Sequence, residues 1–201
     1  MAKPTLKFSD SGADVLLLQQ QLNCLSPTRL PRLSLSSNFD ILTMARVMEF
    51  QHNKGLKADG ICGPKTNSAI GHTPTTCPKA SLPKGMAIVV DLINNKLFAF
   101  RDGTAELTFN PIHGGSTSDP STRGVFQMSS RRLRHHTSSQ FPIPPGNMDF
   151  SLFYHRGEAL HQGPPTLESH GCIHVGVPDA ENLFNWAASN NIIVIVVKLT
   201  P

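Results

Sequence analysis

The stretch Glu168–Gly176, "ESHGCIHVG", decides how this chain is interpreted. It places Cys172 between His170 and His174 and directly after Gly171. A thiol attacks as its thiolate, and since the pKa of free cysteine is about 8.5, only a few per cent is ionised at neutral pH. A nearby imidazole lowers that pKa or accepts the proton during attack. The stretch therefore predicts a thiol nucleophile served by a histidine.

The residues around the cysteine supply the other parts of such a site. Gly171 allows the backbone to bend at the nucleophile, and the amide N–H groups near Gly171 and Cys172 could face an oxyanion. His161 lies shortly upstream in "ALHQG" and is a second candidate for the base.

Two other interpretations of the same residues stay open at this point. His161, His170, Cys172 and His174 include enough donors for zinc. If the last three alternated along a strand, they would share one face with about 7 Å between successive Cβ atoms, whereas in a tight turn they would diverge. A buried cysteine with satisfied histidines fits poorly beside two glycines and several polar residues.

Composition limits the class of protein. The 201 residues suffice for one medium domain or two small ones, and 39% hydrophobic with 16% charged residues is typical of a globular chain. A net charge of +4 suits an anionic partner such as a cell-wall polymer, a membrane surface or nucleic acid, but is also ordinary for this length. The longest apolar run, Ile192–Val197, is too short to span a bilayer.

The N-terminus "MAKPTLKFSDSGADV" has no apolar signal-peptide core, which predicts a cytosolic chain, a processed one, or export without a cleaved signal.

Helical periodicity dominates the first part of the chain. Three segments, "GADVLLLQQQLNCL", "FDILTMARVMEFQHNKG" and "DGICGPKTNSAIG", predict three short helices in a small bundle. The residues that carry their apolar faces and ends are Val15, Leu18, Leu22, Leu25, Asp40 as an N-cap, Met44, Val47, Met48, Gly55 as a stop, Pro64 and Gly71.

A proline-rich stretch, His72–Gly85, predicts a linker, which we place at residues 79–84 between domains 1–78 and 85–201. The second domain is predicted to be mostly β, with an opening hairpin that turns at Asn94 and Asn95. Further strands are predicted at "AELTFN", "GVFQM", "DFSLFYH" and "NIIVIVV", and one packed helix at "PDAENLFNWAAS". The fold class is thus α+β with two domains.

A long polar excursion, Arg131–Asn147, interrupts these strands. Loops of this length are often lids or binding loops, although a solvated surface loop is the other interpretation.

The four cysteines are Cys24, Cys62, Cys77 and Cys172, and they show no C-x-x-C spacing of a zinc finger. If Cys172 is a working thiol, one bridge among the other three is possible, and the sequence does not choose among the three pairings.

The residues of the second domain resemble the L,D-transpeptidase catalytic domain (YkuD-like). "ALHQGPPTLESHGCIHV" is similar to that family's signature of His-x-Gly, a variable loop and Ser-His-Gly-Cys. "IVVDLINNKLFAF", "PSTRGVFQM" and "DAENLFNWAASNNIIVIV" resemble its opening hairpin, its Thr-Pro-x-Gly-x-Phe stretch and its closing helix and strand.

The first domain resembles the peptidoglycan-binding domain type 1, a three-helix module. The landmarks of that module fall at Phe50-Gln51, Gly55-Leu56, Asp59-Gly60-Ile61 and Gly63–Thr66. Both resemblances imply the same substrate, peptidoglycan, with its stem peptides and glycan.

The resemblance implies a role for each matching residue. Cys172 would be the nucleophile and His161 the base, while His170, Gly171 and Cys172 would shape the oxyanion site and Ser169 would support the loop. For the substrate, it implies contacts at Gly163, His174 and Arg123. His174 stands where the family usually has Arg or Asn, and its side chain would help to hold the substrate or brace the motif. A histidine does either only conditionally, because its charge changes near neutral pH. The loop between His161 and Ser169 is also shorter than in most members.

The implied activity is transfer or hydrolysis at a tetrapeptide stem through a Cys172 thioester, with no metal and no organic cofactor. We expect a location in the cell envelope or periplasm, or secretion, and no nucleic-acid partner. With no recognisable signal peptide, a secreted antibacterial effector with an immunity protein is a further expectation. A binding-only protein and a zinc-dependent hydrolase are the alternatives.

Overall fold

A computed structural model of the chain describes residues 3–76, 82–140, 146–188 and 191–199. The elements in chain order are α1 (Ala13–Cys24), α2 (Ile41–Asn53), α3 (Pro64–Ile70), β1 (Met86–Asp91), β2 (Lys96–Arg101), β3 (Thr104–Phe109), β4 (Ile112–His113), β5 (Gly124–Gln127), β6 (Arg132–Leu133), β7 (Ser151–His155), β8 (Glu158–Gln162), β9 (Ile173–Val175), α4 (Asp179–Trp186) and β10 (Ile192–Val197).

The chain divides into two compact units. The helical unit contains Met1–Ala87 with Phe100–Thr104, and the β unit contains Ile88–Ala99 with Ala105–Pro201. The domain boundaries expected at 1–78, 79–84 and 85–201 stay a prediction, because residues 77–81 of that region lie outside the described residues.

The three helices predicted for the first domain are present, and the expected apolar residues are buried except Leu25, which is half-buried at the C-cap of α1. Asp40 caps α2 by accepting a hydrogen bond from the Thr43 amide at 2.7 Å. Pro64 begins α3, and Gly71 follows its end with φ of 58°. The apolar residues buried on α1 and α2 are Val15, Leu18, Leu22, Met44, Ala45, Val47, Met48 and Phe50.

One buried side chain connects several landmarks of the helical unit. The Gln51 side chain accepts from the Gly60 amide at 2.9 Å and donates to the Ile61 carbonyl at 2.9 Å. It also donates to Asp59 and to the Thr66 hydroxyl, each at 3.0 Å. A single amide therefore fixes the turn between α2 and α3, since a buried polar group needs partners.

The β unit consists of two five-stranded sheets and the packed helix α4. The strand orders are β3-β2-β1-β10-β5 and β4-β9-β8-β7-β6. All six residues of β10 are buried, and the predicted packed helix is α4, which buries Ala180, Leu183 and Phe184. The second sheet combines antiparallel pairs with the parallel pair β8–β9.

The structure adds strands that the sequence pattern did not predict. β8 and β9, which carry the site, have only five and three residues, and glycines and polar residues follow or precede them. Within the predicted excursion 131–147, Arg132–Leu133 forms the edge strand β6. Such short elements are defined by tertiary pairing rather than by a local alternating pattern.

Cysteine pairing is partly resolved. Cys24 is disulfide-bonded, whereas Cys62 and Cys172 are free. The two pairings that use Cys62 therefore do not occur, and Cys77 lies outside the described residues.

Candidate active site

Three neighbouring strands bring three histidines into one row. In the parallel pair β8–β9, His161 lies opposite His174. In the antiparallel pair β4–β9, His113 also lies opposite His174. Directly paired residues project on the same face of a sheet, so the three imidazoles share that face. The rings of His161 and His174 meet edge to face, with centroids 5.1 Å apart.

His161 is a buried imidazole with one fixed nitrogen. The residue is only 4% exposed, and its Nδ1 lies 2.7 Å from the Gln162 carbonyl oxygen. A carbonyl only accepts hydrogen bonds, so this contact assigns the proton to Nδ1 and leaves the lone pair of the neutral ring on Nε2. Burial lowers the pKa of His161 to about 4; the carbonyl contact opposes this, and His174 and His136 add to it. At neutral pH the ring is therefore an uncharged base.

A tight turn presents Cys172. Gly171 adopts φ of 101°, a conformation that residues with a side chain rarely adopt. The carbonyl oxygen of Cys172 accepts a hydrogen bond from the Ser169 hydroxyl at 2.5 Å and from the Ser121 hydroxyl at 3.5 Å. Both hydroxyls belong to buried residues. The backbone at the thiol is thus held from two sides of the turn.

A second backbone segment, around Gly115, supports the same turn. The Ser169 amide donates to the Gly114 carbonyl at 3.0 Å, and the Ser116 amide donates to the Ser169 carbonyl at 2.9 Å. A Cβ atom at Gly115 would lie 2.7 Å from the Gly171 nitrogen. Sequence reasoning missed Gly115, whose signal was the paired glycines that follow His113.

His174 holds the loop that follows β8. Its Nδ1 lies 3.0 Å from the Leu167 carbonyl oxygen and 3.2 Å from that of Pro164. A Cβ atom at Gly163 would lie 2.5 Å from the Cδ2 atom of the His174 ring, so the glycine makes room for the imidazole. Burial is the main cause of a lowered His174 pKa, opposed by both carbonyls. His174 therefore contacts the backbone of the loop that follows β8, and the role expected for it at the substrate or the motif stays a prediction.

Most of the predicted site residues line one cleft of about 990 Å³. Arg123 is half-buried, and neither it nor Gly171 is among the described residues that line the cleft. The substrate contact expected from Arg123 stays a prediction. The predicted residues on the cleft wall are His161, Gly163, Ser169, His170, Cys172 and His174.

Cys172 is half-buried on this wall, with Sγ 3.9 Å from the Gly157 carbonyl oxygen. Burial raises the pKa of the thiol; a backbone contact at Ala159 opposes the shift, and the Glu158 carboxylate adds to it. The thiol is therefore protonated at neutral pH while the His161 ring is uncharged.

The excursion 131–147 contributes to the same cleft. Ser138 and Gln140 on one side of it, and Gly146 and Asn147 on the other, line the wall. Residues 141–145 between them lie outside the described residues, and the expectation that this segment is a lid stays a prediction.

Neither a metal-binding cluster nor a membrane-spanning helix is present among the described residues. These residues contain no group of three or more His, Cys, Asp or Glu side chains arranged to hold a metal ion. Among them, no helix combines the length and the apolar character that crossing a membrane requires.

Comparison with known proteins assigns the chain to a class. The family model of the L,D-transpeptidase catalytic domain (YkuD) matches residues 85–196, more than half of the chain, and the chain belongs to this family. A second model, described as "Putative peptidoglycan binding domain", matches residues 11–70. The two domains define a peptidoglycan L,D-transpeptidase, with peptidoglycan as partner and the cell wall as its place of action.

One solved structure supports this fold, and a second is reported for its similarity alone. The L,D-transpeptidase from Stackebrandtia nassauensis is similar with a TM-score of 0.52 and 19% identity, covering 98% of this chain and 96% of that chain. That from Xylanimonas cellulosilytica is 24% identical, covers 98% and 99% of the two chains, and has a TM-score of 0.47. The comparison with curated proteins gives no significant match.

Proposed function

We propose that this chain cleaves and rejoins tetrapeptide stems of peptidoglycan through a thioester on Cys172. The observation that carries the proposal is that Cys172 and His161 line the wall of one cleft, with Nδ1 of the imidazole fixed by the Gln162 carbonyl. That contact leaves Nε2 to accept a proton, as a general base requires.

Acylation follows from the resting charges of this pair. Both groups are neutral at pH 7, so the thiol proton moves to Nε2 of His161 as Sγ attacks the peptide carbonyl. The C–N bond to the terminal D-Ala then breaks, and the imidazolium returns the proton to the departing amine. Between these two steps the negative charge resides on the carbonyl oxygen. We place the backbone amides of the His170–Cys172 turn as hydrogen-bond donors to that oxygen.

Deacylation decides between two activities. If an amine attacks the thioester, the products are a new amide and the free thiol, which is L,D-transpeptidation. If water attacks, the products are a tripeptide stem and the free thiol, which is L,D-carboxypeptidation. We propose that both occur, because either nucleophile can transfer its proton to His161.

The helical unit supplies the second part of the proposal. We infer that it holds the chain on peptidoglycan while the β unit acts on stems, because residues 11–70 match the binding-domain model. The effector role and the immunity protein stay predictions.

Product analysis by mass spectrometry tests this function. Tetrapeptide muropeptides are incubated with the full chain, with and without excess D-methionine. D-methionine-terminated stems or crosslinked dimers demonstrate transfer, and tripeptides demonstrate hydrolysis. Cys172→Ala is the matched control, and the proposal fails if the wild-type chain forms none of these products or if Cys172→Ala forms them equally.

A further inference from the structure

Glu158 is a cleft residue with an unusual number of ordered donors. Its Oε2 accepts from the Tyr154 hydroxyl at 2.8 Å and from the Thr122 amide at 3.0 Å. Its Oε1 accepts from the Thr122 hydroxyl at 2.5 Å. Tyr154 is only 4% exposed. A surface carboxylate would find its partners in water, whereas this one is held at both oxygens by the protein.

The same carboxylate lies beside the turn that presents the thiol. A Cβ atom at Gly171 would lie 3.5 Å from Cγ of Glu158. Thr122 follows Ser121, whose hydroxyl donates to the Cys172 carbonyl at 3.5 Å and accepts from the Gly115 amide at 2.8 Å. A chain of hydrogen bonds thus connects Glu158, through residues 121–122, to both backbone segments around Cys172.

We propose that Glu158 is a positioning residue, which fixes the 121–122 segment against the nucleophile turn and holds its carboxylate beside the Cys172 thiol. Nothing in the pattern of the family signature pointed to this residue, since it precedes His161 in the short strand β8. The proposal rests on the proposed function only in taking Cys172 as the nucleophile.

Electrostatics supports the second half of the proposal. Glu158 contributes to the raised pKa values of both Cys172 and Tyr154, because a nearby anion opposes a second negative charge. The charge therefore favours a protonated thiol at rest and leaves ionisation to the moment when His161 accepts the proton. The titratable or charged groups that share the cleft wall with the thiol are Arg156, Glu158, His161, Glu168, His170 and His174.

The test is the pH dependence of Cys172 alkylation by iodoacetamide, read by peptide mass spectrometry on the full chain. Glu158→Gln removes the charge at nearly constant size, and we expect the alkylation midpoint to fall by about 0.5 to 1 pH unit. Glu168→Gln is the matched control, because it removes the same charge from an exposed carboxylate of the same cleft and should leave the midpoint unchanged.

Two further variants keep the proposal falsifiable if Glu158→Gln does not fold. Tyr154→Phe and Thr122→Val each remove one donor and retain the charge, so the less neutralised carboxylate should raise the midpoint. A merely structural Glu158 would lower the melting temperature in all three variants without moving any midpoint, and that result would overturn the proposal. Equal shifts in Glu158→Gln and Glu168→Gln would also overturn it.

Turnover gives the second readout. Because Gln cannot accept from the Thr122 amide, hydroxyl and Tyr154 together, we expect kcat to fall about tenfold in Glu158→Gln, with KM nearly unchanged. The alkylation assay needs no substrate, so it can fail while muropeptide products still form, and it can succeed if the proposed function fails. The two hypotheses are therefore distinguished.

Discussion

Cys62 and Cys172 are both free thiols, one in the helical unit and the other in the β unit. Cys62 is fully buried, and its Sγ donates to the Asn67 side-chain oxygen at 3.3 Å. Cys172 is half-buried and faces a cleft. Burial raises the pKa of Cys62 to about 11 and also raises that of Cys172.

Because both pKa values are raised, the acidity of the thiol does not distinguish the reactive cysteine from the structural one. A thiol whose pKa is raised by apolar surroundings is normally inert. What Cys172 has in addition is access from the cleft and the neutral imidazole of His161 on the same wall. Its reactivity should therefore depend on a base that accepts the proton during attack, which Cys62 lacks among its described contacts.

The largest expected effect comes from alanine at each cysteine in turn. Cys172→Ala should lower muropeptide turnover at least about 10⁴-fold, and His161→Ala nearly as much, because nucleophile and base act as a unit. Cys62→Ala should keep turnover within about twofold, since the described hydrogen-bond partners of Cys62, Leu6 and Asn67, both lie in the helical unit. Turnover is measured by mass spectrometry, with circular dichroism to confirm that each variant is folded. Wild-type turnover in folded Cys172→Ala would remove the assigned nucleophile.

Native-state alkylation gives the second-largest effect. In the folded wild-type chain, iodoacetamide should modify Cys172 at least about 1,000-fold faster than Cys62, because Cys62 reacts only after local opening. His161→Gln should slow modification of Cys172 and leave Cys62 unaffected. The rates come from peptide mass spectrometry over time, with urea-unfolded chain as the reference for full access. Equal native rates at the two thiols would contradict the comparison.

The sequence predicted the fold in proportion to the length of each element. The helices and the strand β10 carry their patterns over six or more residues, so their apolar periodicity was sufficient. β8 and β9 are too short for this, and their pairing in parallel is a long-range choice that no local pattern contains. The landmarks of the helical unit, Gln51 among them, were recognised as spaced residues. That the Gln51 side chain is the common partner of the others became apparent only from its hydrogen bonds.

The sequence predicted the site residues whose chemical type the reaction requires. It did not predict those whose importance depends only on their position in the fold. Cys172, His161 and Ser169 were identified from the motif, and the structure places them around one turn and one cleft. Glu158 and Gly115 were not, because a carboxylate in a hairpin and a glycine after another glycine are common in any chain. Their importance depends on distances to Gly171, which exist only after folding.

The base that distinguishes Cys172 should also have a cost in stability. The pKa of His161 is about 4 in the fold, against an ordinary value of 6.5. The unfolded chain therefore binds the proton first as pH falls. Above pH 6.5 the ring is neutral in both states and the free energy of unfolding is unaffected by it. Between pH 6.5 and 4 the unfolded chain gains the proton and the fold does not, so the free energy of unfolding falls, by about 3 kcal/mol at the lower limit.

Urea unfolding of the full chain at several pH values measures this loss. Wild type should lose free energy of unfolding across that window, and His161→Gln should lose about 3 kcal/mol less. His174 has a pKa lowered in the same direction, so some slope should remain in the variant. His52→Gln, which changes an exposed histidine of α2, is the control and should follow wild type. Identical slopes in wild type and His161→Gln would contradict the burial argument.

The smallest expected effect is structural and belongs to Cys62. Its backbone pairs with Leu6 in both directions, with N–O distances of 2.8 and 3.2 Å, and the thiol fills a fully buried position. Cys62→Ala removes one sulfur atom from that packing and should lower the free energy of unfolding by about 1 kcal/mol. Cys62→Ser retains a donor for Asn67 but buries a more polar group, so its loss should be similar or slightly larger. Urea unfolding measures both, and alkylation of Cys172 should keep its wild-type rate and pH midpoint in each. A change in that midpoint would mean that Cys62 influences the reactive thiol, and the two cysteines could then no longer be treated as a structural and a chemical one.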